Sequence, residues 1–278
     1  MKIFKLQLFA IAAVLCAVGC KNAAQVQEPV KFITDNYGVA TGIQTDEKVI
    51  YLLFTAHFSE NDNGYFENFD GIVPVLDILK EKDVKASFFP TGNCFRVEKY
   101  KAPIRRIIDE GHYLSHHSNH HLLMCSYENR EENYVTADSI KVDFAGVEAE
   151  LASFGLERKD YNWMIPPYEY YNDFSAGVLR ELGYNLLNPT PGFKVSSDWA
   201  TLGEASYKHA SELIESIWKY QEEHGGLEGV FLHFHAMVYP GRAENDCPFL
   251  YLGEVIDRLK AEGYTFKTCF DLPEKMGE

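Results

Sequence analysis

Past residue 48 the chain alternates between short apolar runs and stretches of helical period, and this alternation limits the folds open to it. Runs rich in β-branched or aromatic residues occupy 49–55, 86–89, 113–116, 163–165, 185–187, 230–235 and 265–270. Between them, apolar residues three and four apart mark six helix faces. These are Ile72, Val75, Leu76, Ile78 and Leu79; Ile104, Ile107 and Ile108; Val147, Leu151 and Phe154; Val178, Leu179 and Leu182; Leu213, Ile214, Ile217 and Trp218; and Val255, Ile256 and Leu259. Gly111, Gly183 and Gly263 each fall between a helix and the next strand, where a left-handed C-terminal residue belongs. Repeated βα units predict an α/β fold with parallel strands inside and helices outside. Seven such units without a dinucleotide-binding glycine fingerprint favour a distorted (β/α)7 barrel over a doubly wound sheet. One domain over 47–278 holds them all.

The N-terminus is a separate matter. Lys2 and Lys5 precede an apolar run over 6–18, broken only by Gln7. It is shorter than the roughly 20 residues of a membrane span, so 1–20 reads as a signal peptide. The run ends in Ala17-Val18-Gly19-Cys20, which resembles the lipobox of bacterial lipoproteins. That resemblance implies a lipid on Cys20 and an exported protein anchored to a bacterial membrane, in the periplasm or at the cell surface. Residues 21–46 lack sustained periodicity and are expected to be a tether. The net charge of −15 argues against a nucleic-acid partner, since nothing would neutralise phosphates. Beyond the signal and Cys20, four cysteines remain: Cys94, Cys125, Cys247 and Cys269. None has zinc-type CxxC spacing, so buried free thiols, or one bridge at most, are expected.

The densest chemical signal is the run 111–121, which holds five of the chain's ten histidines. His117 and His121 are four apart, so on a helical turn both imidazoles project from one face. Two such rings suit Zn²⁺, Co²⁺ or Ni²⁺. His116 and His120 have the same spacing, and spacing alone does not choose between the pairs.

His117-Ser118-Asn119-His120-His121 resembles the second motif of the polysaccharide deacetylases, the NodB-like or carbohydrate esterase family 4 proteins. The resemblance selects His117 and His121 as ligands of a divalent metal, zinc first and cobalt or nickel as alternatives. The family's first motif, Thr-Phe-Asp-Asp, corresponds to Phe54-Thr55-Ala56-His57. His57 then stands where the third ligand should be, and Ala56 where the catalytic base should be. The third motif, Arg-x-Pro-Tyr, matches Ile165-Pro166-Pro167-Tyr168 with its Arg lost; the family's oxyanion role falls to the Tyr168 N–H. Glu169 follows where the family usually has Gly, and is a candidate replacement base. Glu60, Asp62 and Asp173 are further loop carboxylates that could approach. Asp198-Trp199 is similar to the pair that orients the catalytic histidine. Phe231-Leu232-His233-Phe234-His235 offers two candidates for the histidine of the family's Leu-x-His motif. Strand alternation puts both histidines on one side; His235, nearer the strand's end, is taken as general acid, and His233 as a satisfied core histidine. Arg242 is a candidate for the lost positive charge.

The implied activity is metal-dependent hydrolysis of O- or N-linked acetyl groups on an oligo- or polysaccharide, esters being easier than amides for a site with an altered base. Phe58, Tyr65, Phe66, Tyr168, Tyr170 and Tyr171 are aromatic candidates for sugar stacking. Ala56 and Ile165 together keep a second reading open, a catalytically impaired relative that binds glycans. A glycosidase using paired carboxylates is a third, weakened because no such pair stands out at strand ends.

Overall fold

The computed structural model describes residues 29–59, 68–239, 241–243 and 245–277. The signal peptide, Cys20, Glu60, Asp62, Tyr65 and Phe66 lie outside the described residues. In chain order the strands are β1 (Phe32–Thr34), β2 (Ala40–Ile43), β3 (Val49–Ala56), β4 (Ser87–Pro90), β5 (Tyr113–Leu114), β6 (Trp163–Met164), β7 (Asn185–Leu186), β8 (Val230–His235) and β9 (Thr265–Lys267). The helices are α1 (Ile72–Glu81), α2 (Gly92–Arg96), α3 (Glu98–Asp109), α4 (Ala137–Ser153), α5 (Asp173–Glu181), α6 (Ala210–His224) and α7 (Leu252–Ala261).

Each of the seven expected strand runs contains a strand, β3 to β9, and the six expected helix faces lie on α1 and α3 to α7, two of them ending on a C-cap residue, Phe154 and Leu182. β3 and β8 are buried along their whole length, which is why they read as near-continuous apolar runs. β3 pairs in parallel with β4, β8 and β9, and β4 with β5. β6 and β7 form a separate parallel pair. Between β5 and β6 side chains replace the ladder: Tyr113 Oη accepts from Trp163 N–H at 2.8 Å and donates to its carbonyl at 3.1 Å. A distorted barrel results. Its interior is filled by alternate residues such as Tyr51, Leu53, Phe89, Tyr113, Trp163 and Phe231, and the larger core lies between sheet and helices. Gly111, Gly183 and Gly263 all have positive φ, as expected.

Two strands correct the expectation of a tether over 21–46. β1 and β2 form a hairpin, and β2, buried throughout, lies antiparallel to β8 through Gly42 and Val230. Ala40 also bridges to Leu187 just after β7. The domain therefore begins well before residue 47, and β2 fills the gap between β8 and β7. Its close approach depends on Gly229, where a Cβ would lie 2.1 Å from the Ile43 carbonyl oxygen. Cys94, Cys125, Cys247 and Cys269 are buried and free. No helix among the described residues is long and apolar enough to cross a membrane.

His112, at the start of β5, ties that strand to β4: its Nδ1 accepts from Ala86 N–H at 3.1 Å. The ring is 2% exposed, and burial pushes its pKa down to about 4. The folded protein holds this imidazole neutral, whereas the unfolded chain takes up a proton below its ordinary value near 6.5. The stability from His112 is therefore complete above about pH 6.5 and is lost as pH falls toward 4, on the order of 3 kcal/mol in all. His112→Asn keeps the acceptor without the titration. Its melting temperature should fall less steeply between pH 6.5 and 4 than that of the parent; parallel slopes would refute the assignment.

Candidate active site

The segments after β3, β5, β6, β7 and β8 surround one cavity of about 520 Å³, a size suited to a small ligand. His57, His117, His121, Tyr168, Glu169 and His235 all line it. The site therefore gathers residues separated by up to 178 positions, as strand-end loops of a barrel do.

Residues 117–121 are not helical, contrary to expectation; Ser118 and His121 have φ of 67° and 58°. The loop is pinned instead by polar contacts. Asp143 on α4, 5% exposed, accepts from Asn119 N–H at 2.8 Å and His120 N–H at 3.1 Å, and faces His120 Nδ1 at 2.9 Å. Ser118 Oγ accepts from His121 N–H at 2.9 Å. The Asn119 side chain fits only because Gly92 and Gly146 lack Cβ atoms, which would lie 2.0 and 2.5 Å from it. This geometry separates the two histidine pairs. His117 and His121 face the cavity, His116 packs against Phe144 and Tyr184, and His120 turns outward to Asp143.

The three cavity histidines share a pattern. His117 Nδ1–H donates to the Ile165 carbonyl at 2.8 Å, leaving Nε2 as the lone-pair nitrogen. His121 Nε2 accepts from Tyr168 N–H at 3.3 Å, so it too is unprotonated in the neutral ring. His57 Nδ1 meets Thr91 Oγ at 3.1 Å. Ring centroids lie 4.6 Å apart for His57 and His121 and 5.0 Å for His117 and His121. Burial keeps all three neutral, pushing His57 down to about 4 and His117 to about 3, with His121 well below its ordinary value. Neutral imidazoles are the form that takes a metal, and His57 and His117 are also held at Nδ1 by an outer partner. A second donor group, Glu169, His233 and His235, has ligand atoms within 4.8 Å of one another. In this group His235 Nδ1 is held by Asp198 at 2.6 Å and His233 Nε2 by Thr55 Oγ at 2.7 Å; the three-histidine set is the one the resemblance selects.

Asp198 is 1% exposed, and its bond to His235 Nδ1 leaves Nε2 as the remaining ring nitrogen. His233, expected to be satisfied, is not: its Nδ1 is buried without a hydrogen-bond partner. It faces inward with His235, one layer deeper.

Tyr168 and Glu169 adopt consecutive left-handed conformations, φ 61° and 52°. Each costs a non-glycine residue about 1–2 kcal/mol. The turn is held by Glu169 N–H to the Pro166 carbonyl at 3.0 Å and by Asn188 Nδ2 to the Glu169 carbonyl at 3.2 Å. It aims the Tyr168 amide at His121 and brings Glu169 Oε1 to 3.4 Å from His117 Nε2. That oxygen is buried without a hydrogen bond. Burial pushes the carboxyl up to about 7, against the pull of His235.

Other candidates fall elsewhere. Arg242 does not line the cavity; its guanidinium is spent on the Ala200 and Lys208 carbonyls and on Asp246. Asp173 opens α5. Phe58 packs on Tyr100, and Tyr171 is fully buried with its hydroxyl on Asp35. Of the aromatic candidates described, only Tyr168 lines the cavity; Tyr127, Trp199 and Tyr239 join it. Thr91 and Asp143, which hold His57 and the histidine loop, carried no signal in the sequence beyond being polar.

The family model described as polysaccharide deacetylase matches residues 42–187, from β2 to the end of β7, so Asp198 and His235 lie beyond it. The peptidoglycan-N-acetylmuramic acid deacetylase PdaA of Bacillus subtilis is 30% identical over 229 residues, covering 82% of this chain and 72% of that protein. The structure of PdaA, a family 4 carbohydrate esterase, is similar with a TM-score of 0.62 at 27% identity, over 85% of both chains. A family 4 pseudoenzyme from Bacillus anthracis shares the fold, with a TM-score of 0.60 at 17% identity over 84% of this chain and 68% of that one.

Proposed function

The chain belongs to the polysaccharide deacetylase family, and from that premise we propose that its cavity removes acetyl groups from a carbohydrate with a divalent metal held by His57, His117 and His121. The observation that carries this reading is the convergence of three neutral imidazoles, two with Nε2 unprotonated, opposite an Asp198-held His235. A zinc, cobalt or nickel ion there supplies Lewis acidity toward the acetyl carbonyl and the attacking water. Glu169, half-buried with its Oε1 inside and its carboxyl raised toward neutrality, takes the proton from that water as its oxygen bonds to the acetyl carbon. The Tyr168 N–H points at His121 Nε2 and, once that lone pair is given to a metal, is free to donate to the oxyanion; one such donor is commonly worth about 2.7–4 kcal/mol. His235 gives a proton to the sugar oxygen or nitrogen as its bond to the acetyl carbon breaks, and Asp198 keeps the imidazole oriented. Acetate and the free sugar hydroxyl or amine result.

The direct test is acetate release from acetylated glycans by protein lacking residues 1–20, stripped of metal and then resupplied with Zn²⁺, Co²⁺ or Ni²⁺. Release that depends on added metal is expected. Folded, metal-loaded protein that releases nothing from either esters or amides would instead favour the glycan-binding reading that Ala56, on the cavity wall, keeps in play. Export and a lipid on Cys20 complete the proposal: labelled fatty acid should enter the full chain in bacterial cells and not the Cys20→Ser variant.

A further inference from the structure

Tyr127 lies outside every motif of the resemblance, yet its side chain lines the cavity while 61% exposed. His117 and His235, on the same wall, are 2% and 9% exposed. The histidines therefore form the floor, and Tyr127 stands at the mouth.

Its position is built, not incidental. Residues 124–134, between β5 and α4, close on themselves as a short arm. Cys125 and Asn133 bridge antiparallel, and Ser126 N–H donates to the Glu132 carbonyl at 3.0 Å. Ser126 Oγ accepts from Glu128 N–H at 3.1 Å and Asn129 N–H at 3.2 Å, which fixes the turn that carries Tyr127. The arm is tied down to the segment that follows Glu169. Asn172 Nδ2 donates to the Arg130 carbonyl at 2.8 Å and to Asn133 Oδ1 at 2.7 Å. Arg130 Nε donates to the Tyr171 carbonyl at 2.6 Å, and Tyr170 Oη to the Ser126 carbonyl at 3.1 Å. The Tyr170 ring lies 4.8 Å from that of Tyr127, and the Arg130 guanidinium 4.2 Å from that of Tyr170.

A ring set on so firm a base and left mostly in water adds little burial to the fold. It offers a ligand rigid contact area at low entropic cost, because its backbone and neighbours are already ordered. Its face is apolar, and the C–H face of a pyranose is the complement of such a surface.

We propose that Tyr127 is the stacking platform for the pyranose next to the one that bears the acetyl group, so that the site takes a sugar chain in preference to a single sugar. The inference rests on the deacetylase reading for the sugar at the floor, and on the arm and its exposed ring for the neighbour at the mouth.

Calorimetry on the metal-loaded Glu169→Gln protein, whose slow turnover leaves the sugars intact, compares N-acetylglucosamine with its β-1,4-linked tetramer. The tetramer should bind at least about tenfold more tightly. Adding Tyr127→Ala should weaken the tetramer about tenfold, as expected for one aromatic side chain no longer covered, and the monosaccharide by less than about twofold. Tyr127→Phe, which keeps the ring, should retain the parent's affinity, and melting temperatures should not differ. Equal affinity for the two sugars in the parent, an equal loss on both with Tyr127→Ala, or no binding of either at millimolar concentration would overturn the proposal. Length-dependent binding that needs Tyr127, with no acetate released by protein that retains Glu169, would sink the deacetylase reading and leave the platform standing.

Discussion

Substituting asparagine for His117 is expected to abolish stoichiometric metal binding and to lower kcat/KM about 10³-fold while leaving the fold intact. Asparagine can still donate from near the Nδ1 position to the Ile165 carbonyl, so the bond joining the histidine loop to the end of β6 is conserved in kind. What disappears is the Nε2 lone pair. Lewis-acid stabilisation by a bound metal is worth several kcal/mol, and about 4 kcal/mol corresponds to 10³ in rate. Metal content and melting temperature, measured beside activity, separate this from misfolding. The experiment also decides between the two donor sets. If His117→Asn keeps its metal and its activity, the ion sits with Glu169, His233 and His235, and His117 is demoted to a neighbour.

How far the sequence carries can be judged residue by residue. β3 and β8 announce themselves because a strand buried on both faces is apolar throughout, and the helix faces because three- and four-residue spacing survives on one buried side. β1 and β2 escape for physical reasons. They are three and four residues long, β1 is largely exposed, and a bulge interrupts their register. In the site, the histidine spacing was legible but its backbone was not. Positive φ at Ser118 and His121 is a tertiary effect, held by Asp143 from α4 and by the space at Gly92 and Gly146. Nothing local to 117–121 encodes those partners. Arg242 shows the converse: a charge close in sequence to the site can be consumed by carbonyls before it reaches the cavity. His233 shows that a core position need not be a satisfied one.

Glu169 is where the site departs furthest from its family and where stability and function should pull apart. Glu169→Gln, which keeps the shape and removes the basic oxygen, should lower kcat by about 10²–10⁴ with metal content unchanged. Adding Ala56→Asp should recover part of that loss, because Ala56 lies on the cavity wall next to His57 and receives a carboxylate where the resemblance places the base. Glu169→Gly separates the two roles. The φ of 52° suits glycine, so its left-handed strain of about 1–2 kcal/mol is relieved, against about 0.5–1 kcal/mol of added backbone entropy in the unfolded chain. The half-buried carboxylate is removed as well. The glycine variant should therefore be more stable by about 1 kcal/mol and slower by at least the factor seen for glutamine. A residue kept for structure would give the opposite pairing, lower stability with kcat unchanged. On the proposed mechanism, backbone strain at a residue whose Oε1 makes no hydrogen bond is accounted for by the chemistry assigned to its side chain.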